Sequence, residues 1–444
     1  MNRLLLIICC FLLFLQGKTW GQRNCGYDII HKAALSKNPN FDADRSAYLE
    51  STYKNSSTAK KTTGTTTLWV PVVFHIVLDN ASLTKMDAST IQDRINSQMA
   101  VLNQDYNRGN PDSVNIPAAF KPLYTSVNIK FALTGQDPNG NPTPGYELIN
   151  TTSTSFDIYT GAGSAAKHAS TGGADAWDVT KYINVWVVNI SSGVIGLTVP
   201  PSYTAAGTYP TNEMGVLLSY SVFGRRSSSG EYFLPSGTGT PFDLGRTLTH
   251  EMGHYFELLH TWGDDGGLCP TDPHGMDDGI ADTPPQGTNT SGCPSGVVTD
   301  ACSSTSPGIM YQNYLDYTDD ACMHMFTVLQ AAKMHANLEG PTGETYSLTT
   351  HHELLSVPGL NTATHNLLVA PNPTTGKITI SFPQAENNLQ SISIINTLGQ
   401  KIKTIVTNQT SNYYTTDISG MPAGVYFVVC DYTDGEEIRK ILLQ

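Results

Sequence analysis

"RTLTHEMGHYFELLHTWG", residues 246–263, decides the reading of this chain. His250 and His254 are four apart, so on a helix they lie about 40° apart around the axis, one turn up, where both imidazoles can reach one ion. Glu251 between them points along the same wall. This H-E-x-x-H arrangement supplies two zinc ligands and a general base. His260 sets a condition. If the helix simply continued, it would sit about 280° round from His250, off the ligand face. The chain must therefore leave the helix between His254 and His260. Glycine in the left-handed conformation is the easy exit, yet "YFELLH" contains none and Glu257 stands at the turn. A non-Gly residue at positive φ costs about 1–2 kcal/mol, which is small against the roughly 10 kcal/mol or more that a zinc site returns. Three His ligands and a water make an open tetrahedral site, in which the metal lowers the water's pKa towards 7 and Glu251 takes its proton.

The rest of the chain supplies the setting. Its 444 residues are enough for two or three domains, and 39 Gly with 25 Pro indicate strands joined by many turns. A net charge of −13 on a chain only 14% charged argues against nucleic acid or an anionic membrane as partner. "MNRLLLIICCFLLFLQGKTWG" has Arg3, an apolar run from Leu4 to Leu15, then a polar stretch. That run is too short for a span of about 20 residues and reads as a signal peptide over residues 1–21. No later stretch is apolar enough to be a transmembrane segment. Two of the eight cysteines leave with the signal peptide. Four of the others, Cys269, Cys293, Cys302 and Cys322, cluster and point to two disulfides in an oxidising compartment, with three pairings open. Cys25 and Cys430 are left over.

Residues 22–62 form a polar segment that ends in a Lys-Lys pair and a Thr/Gly/Ser run, which reads as an accessible linker. "LWVPVVFHIVLDN" opens the next region as a buried strand, with His75 a satisfied core histidine. A helix follows, with Ile91, Ile95, Met99, Leu102 and Tyr106 on one face. Strands are expected at "VNIKFAL", at "KYINVWVVNI" (Ile183, Val185 and Val187 alternating with Asn184, Trp186 and Val188) and at "MGVLLSYSVFG". Strands, a long helix, more strands and the histidine helix make an α/β layer packing over residues 63–345. After a linker at 346–366, short alternating strands over 367–444 have the pattern of a small all-β sandwich.

"HEMGHYFELLHTWG", "DGIADTPPQ" and "NYLDYTDDACMHMFT" together resemble, in order and spacing, the metzincin metalloproteases of the pappalysin family, in its cytophagalysin-like branch. The resemblance covers about residues 22–345. It implies an α/β (α+β) metzincin-like domain with a twisted sheet and an active-site helix, zinc held by His250, His254 and His260, Glu251 as general base, and protein or peptide substrates. In the family's N-x-M-D-Y turn, Leu315 stands here in the methionine place, a swap of similar volume that costs under about 1.5 kcal/mol. Tyr317 matches the tyrosine that hydrogen-bonds the substrate carbonyl or oxyanion. The resemblance further implies disulfides Cys269–Cys302 and Cys293–Cys322. It also implies a calcium site at Asp278 and Thr283, and Cys25 of "RNCG" as a thiolate zinc ligand in a latent proform. The family often favours basic residues at the scissile bond, with Asp319 and Asp320 near the pocket that would read them. The last domain resembles the sorting domains of the type IX secretion system, which implies that machinery as partner and a released or surface-attached product. The expected function is a secreted zinc endopeptidase made as a latent precursor. The alternative is a catalytically impaired zinc-bearing surface protein that binds peptide or matrix ligands.

Overall fold

The computed structural model describes residues 23–444 apart from 60–66, 86–87, 160, 192, 226–240, 265–266, 272–276, 341–344, 356–366, 383–388, 397–400, 408–410 and 433–434. The expected signal peptide, the Lys-Lys pair and the later half of the 346–366 linker lie outside the described residues.

The N-terminal segment forms two helices, α1 (Tyr27–Lys37) and α2 (Phe41–Ala59). The sheet that follows contains β1 (Leu68–Asp79), β2 (Ile129–Leu133), β3 (Tyr146–Thr151), β4 (Ile183–Val188), β5 (Gly196–Val199) and β6 (Gly215–Ser219). Its order is β2-β1-β4-β6-β5, with β3 also pairing with β1. β1 is long enough to pair in parallel with β2 through Leu68–Val72 and with β3 through Phe74–Asp79. Only β5 runs antiparallel, against β6, and it ends the order on that side of the sheet.

β1 reads as a continuous apolar run because both of its faces are covered, as in parallel sheets generally. Val70, Val72, Phe74, Ile76 and Leu78 join one core with Val185, Val187, Val216 and Leu218. Val77, Trp186, Val188 and Leu217 point into the other. This is the period-two alternation expected for β4. His75 is fully buried between Glu147 and Asn184, with Nε2 2.8 Å from Asn184 Oδ1, as a satisfied core histidine should be.

The helices of this unit are α3 (Asn80–Lys85), α4 (Ala88–Tyr106), α5 (Pro201–Ala205), α6 (Arg246–Tyr255) and α7 (Val328–Glu339). α4 buries Ile91, Ile95, Met99, Leu102 and Tyr106 in the first core, beside Leu248, Met252 and Tyr255 of α6. In the second core, Tyr27, Ile30 and Ala34 of α1 and Phe41 of α2 pack with Leu197, Val199 and Tyr203. The N-terminal segment is thus built into the structure rather than trailing from it, which its polar composition does not announce.

The C-terminal unit has strands β7 (Leu368–Ala370), β8 (Lys377–Ser381), β9 (Leu389–Asn396), β10 (Lys401–Ile405), β11 (Tyr413–Asp417), β12 (Gly424–Tyr432) and β13 (Gly435–Leu443). They form a four-stranded sheet, β10-β9-β12-β13, and a three-stranded one, β11-β8-β7, around one apolar core that includes Ile380, Ile394, Val428 and Ile441. Cys430 is buried in that core as a thiol.

Phe74 is fully buried at the centre of β1 and packs on Phe223. Phe74→Ala is expected to destabilise the N-terminal unit by about 3–5 kcal/mol. Urea unfolding followed by tryptophan fluorescence should show an earlier transition for that unit alone.

Candidate metal centre

All ten residues of α6 are buried, so its histidines face the interior of a packed site. The helix stops at Tyr255 through a Schellman-type closure. Glu257 N–H donates to the His254 carbonyl at 2.9 Å and Leu258 N–H to that of Gly253 at 3.0 Å. Glu257 carries φ 71°, the left-handed residue that the position of His260 demands. The strained residue is held by its own side chain: its carboxylate accepts from Ser202 N–H at 2.8 Å and Ser202 Oγ–H at 2.7 Å. It also accepts from Arg45 Nη2 at 3.1 Å.

With the chain turned back, the Nε2 atoms of His250, His254 and His260 lie 3.1–3.3 Å from one another. Each Nδ1 faces an oxygen that can only accept: the Tyr314 carbonyl at 2.7 Å, the Leu258 carbonyl at 2.8 Å and the Asp264 carboxylate at 2.7 and 2.8 Å. Each Nδ1 is therefore protonated and each Nε2 presents a lone pair. Burial pushes all three imidazoles well down, His260 to about 3, so they are neutral. Three lone pairs aimed at one point have nothing to bond among themselves. They fit a cation, and three imidazoles with a free fourth position fit zinc.

Cys25 joins this cluster, its Sγ within 4.8 Å of the three histidine nitrogens. Its segment is stitched to β5: Gly26 N–H donates to Gly196 O at 2.8 Å and Ile195 N–H to Asn24 O at 2.9 Å. Tyr27 stacks on His254 at 4.4 Å between ring centroids. Arg23 reaches down to Asp320, which is fully buried, and to Thr247 Oγ1 at 3.0 Å. Asp319 is only partly buried and does not share that contact.

Glu251 is also fully buried. Its Oε2 accepts from Thr198 Oγ1 at 2.7 Å, while Oε1 meets no N–H or O–H donor and the Cys25 thiol lies beside the carboxylate. Burial pushes this carboxyl up to about 7 and pushes the Cys25 thiol up as well. A cation among the histidines would pull both down. Gly196 makes the space: a Cβ there would stand 2.4 Å from Glu251 Oε1. Leu315 is fully buried against Gly253, where an added Cβ would meet its Cδ2 at 2.9 Å. Tyr317 sets its ring 4.9 Å from that of His260, and its hydroxyl donates to the Cys25 carbonyl at 3.5 Å.

The structure pairs Cys269 with Cys302 and Cys293 with Cys322. Asp278 and Thr283 also come together, but they bond to each other: Thr283 Oγ1 donates to the Asp278 carboxylate at 2.8 and 2.9 Å, and Ile280 N–H adds a third contact. Neither belongs to the clusters of His, Cys, Asp and Glu among the described residues that could hold an ion, so calcium gains no support here.

Four groups escaped the sequence reading: Arg23, Gly196, Thr198 and Asp264. Arg23 stands in the same "RNCG" as Cys25, and Asp264 is one helical turn's spacing beyond His260, so both carried a faint trace. Gly196 and Thr198 sit in a four-residue edge strand with no pattern to read. Asp264→Ala, which frees the His260 ring, is expected to weaken metal binding about 10–100-fold, measured by chelator competition. Gly196→Ala should lower cleavage of a peptide substrate while leaving metal affinity near that of the parent.

Comparison with known proteins agrees with this geometry. Residues 168–339 match the family described as pregnancy-associated plasma protein-A, and residues 368–444 the secretion system C-terminal sorting domain. Mature mirolysin of Tannerella forsythia, solved with a cleaved peptide, is 38% identical with a TM-score of 0.58, covering 66% of this chain and 100% of that one. A promirolysin mutant of the same organism is 34% identical with a TM-score of 0.64, covering 76% and 100%. Extracellular metalloprotease 1 of Coccidioides posadasii is 35% identical over 144 residues, 30% of this chain, which spans about half (49%) of that relative's length. An extracellular metalloprotease of Podospora anserina is 25% identical over 318 residues, 70% of this chain and 87% of that protein. No helix among the described residues is long and apolar enough to cross a membrane. Identities of 34% and 38% over whole mirolysin chains, with both domain matches, establish that this chain belongs to the pappalysin family of metalloproteases and carries a type IX secretion sorting domain.

Proposed function

We propose that the protein is a zinc endopeptidase made as a latent precursor and secreted or held at the cell surface. In this reading residues 1–21 are the signal peptide, 22–62 the pro-segment, 63–345 the catalytic domain and 367–444 the sorting domain. The observation that carries it is the convergence of three neutral imidazoles beside a buried carboxylate with one oxygen that meets no N–H or O–H donor. His250, His254 and His260 would hold zinc, which when bound supplies a Lewis acid that acidifies water and polarises a carbonyl. Glu251 Oε1 is the acceptor for the proton of the attacking water, with Thr198 fixing the other oxygen so that the carboxylate cannot turn away. The same carboxyl then hands the proton to the leaving amine. Tyr317, already donating to a backbone carbonyl of the pro-segment, is suited to donate to the carbonyl under attack.

Latency follows from the contacts of Cys25. Its sulfur takes the position that water needs, its carbonyl occupies Tyr317, and its neighbours cover β5. The Arg23–Asp320 pair favours substrates with a basic side chain at the scissile bond, Asp320 being the buried carboxylate that would receive it. Glu257 and Leu315 would favour the alternative of a zinc-bearing binding protein without catalysis. Yet Glu251, which a mere zinc-bearing binder does not need, is kept beside the histidines with Thr198 on one of its oxygens, which supports the working enzyme.

Glu251→Ala is expected to retain zinc while losing self-cleavage and digestion of a denatured protein by at least about 10³-fold, and Tyr317→Phe to lower kcat by about 10²-fold. Zinc content by mass spectrometry and peptide release by chromatography check both. A parent protein that stays inert after the pro-segment is removed, with zinc still bound, would sink the enzyme reading.

A further inference from the structure

The turn that aims His260 has a second role. Arg45, on α2 and well away along the chain from Cys25, reaches the carboxylate of Glu257 with Nη2 at 3.1 Å and Ser202 Oγ with Nε at 3.1 Å. Its guanidinium lies 5.9 Å from the centroid of the Tyr203 ring. All four side chains are buried, Arg45 at 8% exposure and Glu257 at 1%. Glu257 Oε2 is shared between Arg45 and the Ser202 hydroxyl, while Oε1 is held by Ser202 N–H. A carboxylate fixed by two donors, a hydroxyl and an aromatic ring complement a planar cation with directional N–H groups better than they do an ammonium.

We infer that Glu257, Ser202 and Tyr203 form a guanidinium-binding socket on the catalytic domain, which grips the N-terminal segment through Arg45 independently of the Cys25 thiol. The bulky residue at the turn is then a binding group. A glycine would make the same turn without strain but would leave Arg45 buried with no carboxylate. Arg45 on Glu257 adds to the ties at Arg23 on Asp320, at Cys25 beside the histidines and along the main chain at Gly196. Cutting one tether does not free the segment.

The inference rests on the N-terminal segment being separable, but not on catalysis. The test uses the full chain with Glu251→Ala, which removes self-cleavage, and a sequence-specific protease site placed within residues 60–66. After that cut, release of the N-terminal fragment is timed by size-exclusion chromatography. Arg45→Ala should speed release on the order of 30-fold or more. Arg45→Lys should recover only a small part, since an ammonium cannot reach both Glu257 and Ser202. Glu257→Gly should release as fast as Arg45→Ala, and the double variant no faster than either. Glycine suits the φ of 71° at this position, so Glu257→Gly keeps the turn. Ser202→Ala offers a second break that keeps Glu257 and its bond to the Ser202 N–H, and it should speed release several-fold. Release at the parent rate in Arg45→Ala and Ser202→Ala, or equal acceleration by Arg45→Ala with and without Glu257→Gly, would overturn the socket. Either result would leave the peptidase reading unaffected.

Discussion

The structure around α6 is arranged to point three lone pairs at one place. Two come from successive turns of α6 at no special cost, because i and i+4 on a helix already face together. The third requires the helix to end, the backbone to enter the left-handed region, and a returning strand of chain to bring His260 across. Every nearby constraint serves that reversal. The carbonyls of Tyr314 and Leu258 and the carboxylate of Asp264 fix the ring nitrogens facing outward. Leu315 packs under Gly253, which has no side chain to push it away.

The two departures from the family pattern find different resolutions. Leu315 is a replacement of bulk by similar bulk in a dry site, and the buried turn Asn313–Tyr317 closes around it. Glu257 is not a replacement of like by like. It introduces strain of about 1–2 kcal/mol and a charge in a buried position, and both are offset by hydrogen bonds that a glycine could not make. Strain at such a position persists only where the surroundings over-determine it.

How much of this was legible beforehand depended on how local the information is. His250, Glu251 and His254 follow from helix geometry alone. The exit at Glu257 follows from asking where His260 must go, and the alternation in β4 from a period of two. The partners of these residues were not legible, because they arrive from far along the chain. Asp320 is 297 residues from Arg23, and Glu257 is 212 from Arg45. Thr198 and Gly196 belong to a strand too short to carry a pattern, and their importance lies in an approach of backbone to carboxylate that no spacing encodes. The helices of the N-terminal segment were missed because its composition is that of a solvated stretch. Its burial depends on aromatic contacts, Tyr27 on His254 and Phe41 on Tyr203, that exist only once the cleft does.

β5 ends the sheet on one side, and at its start residues 24–26 of the same chain pair with Ile195 and Gly196. An unpaired strand edge is a hazard to any protein, inviting whatever extended chain comes near. Main-chain pairing along such an edge grips any sequence, but only a segment that has given up its own pairing partners can lie there. Residues 24–26 therefore shield this edge and line the histidine cluster at once, so that removing them would bare a strand edge and the histidines together.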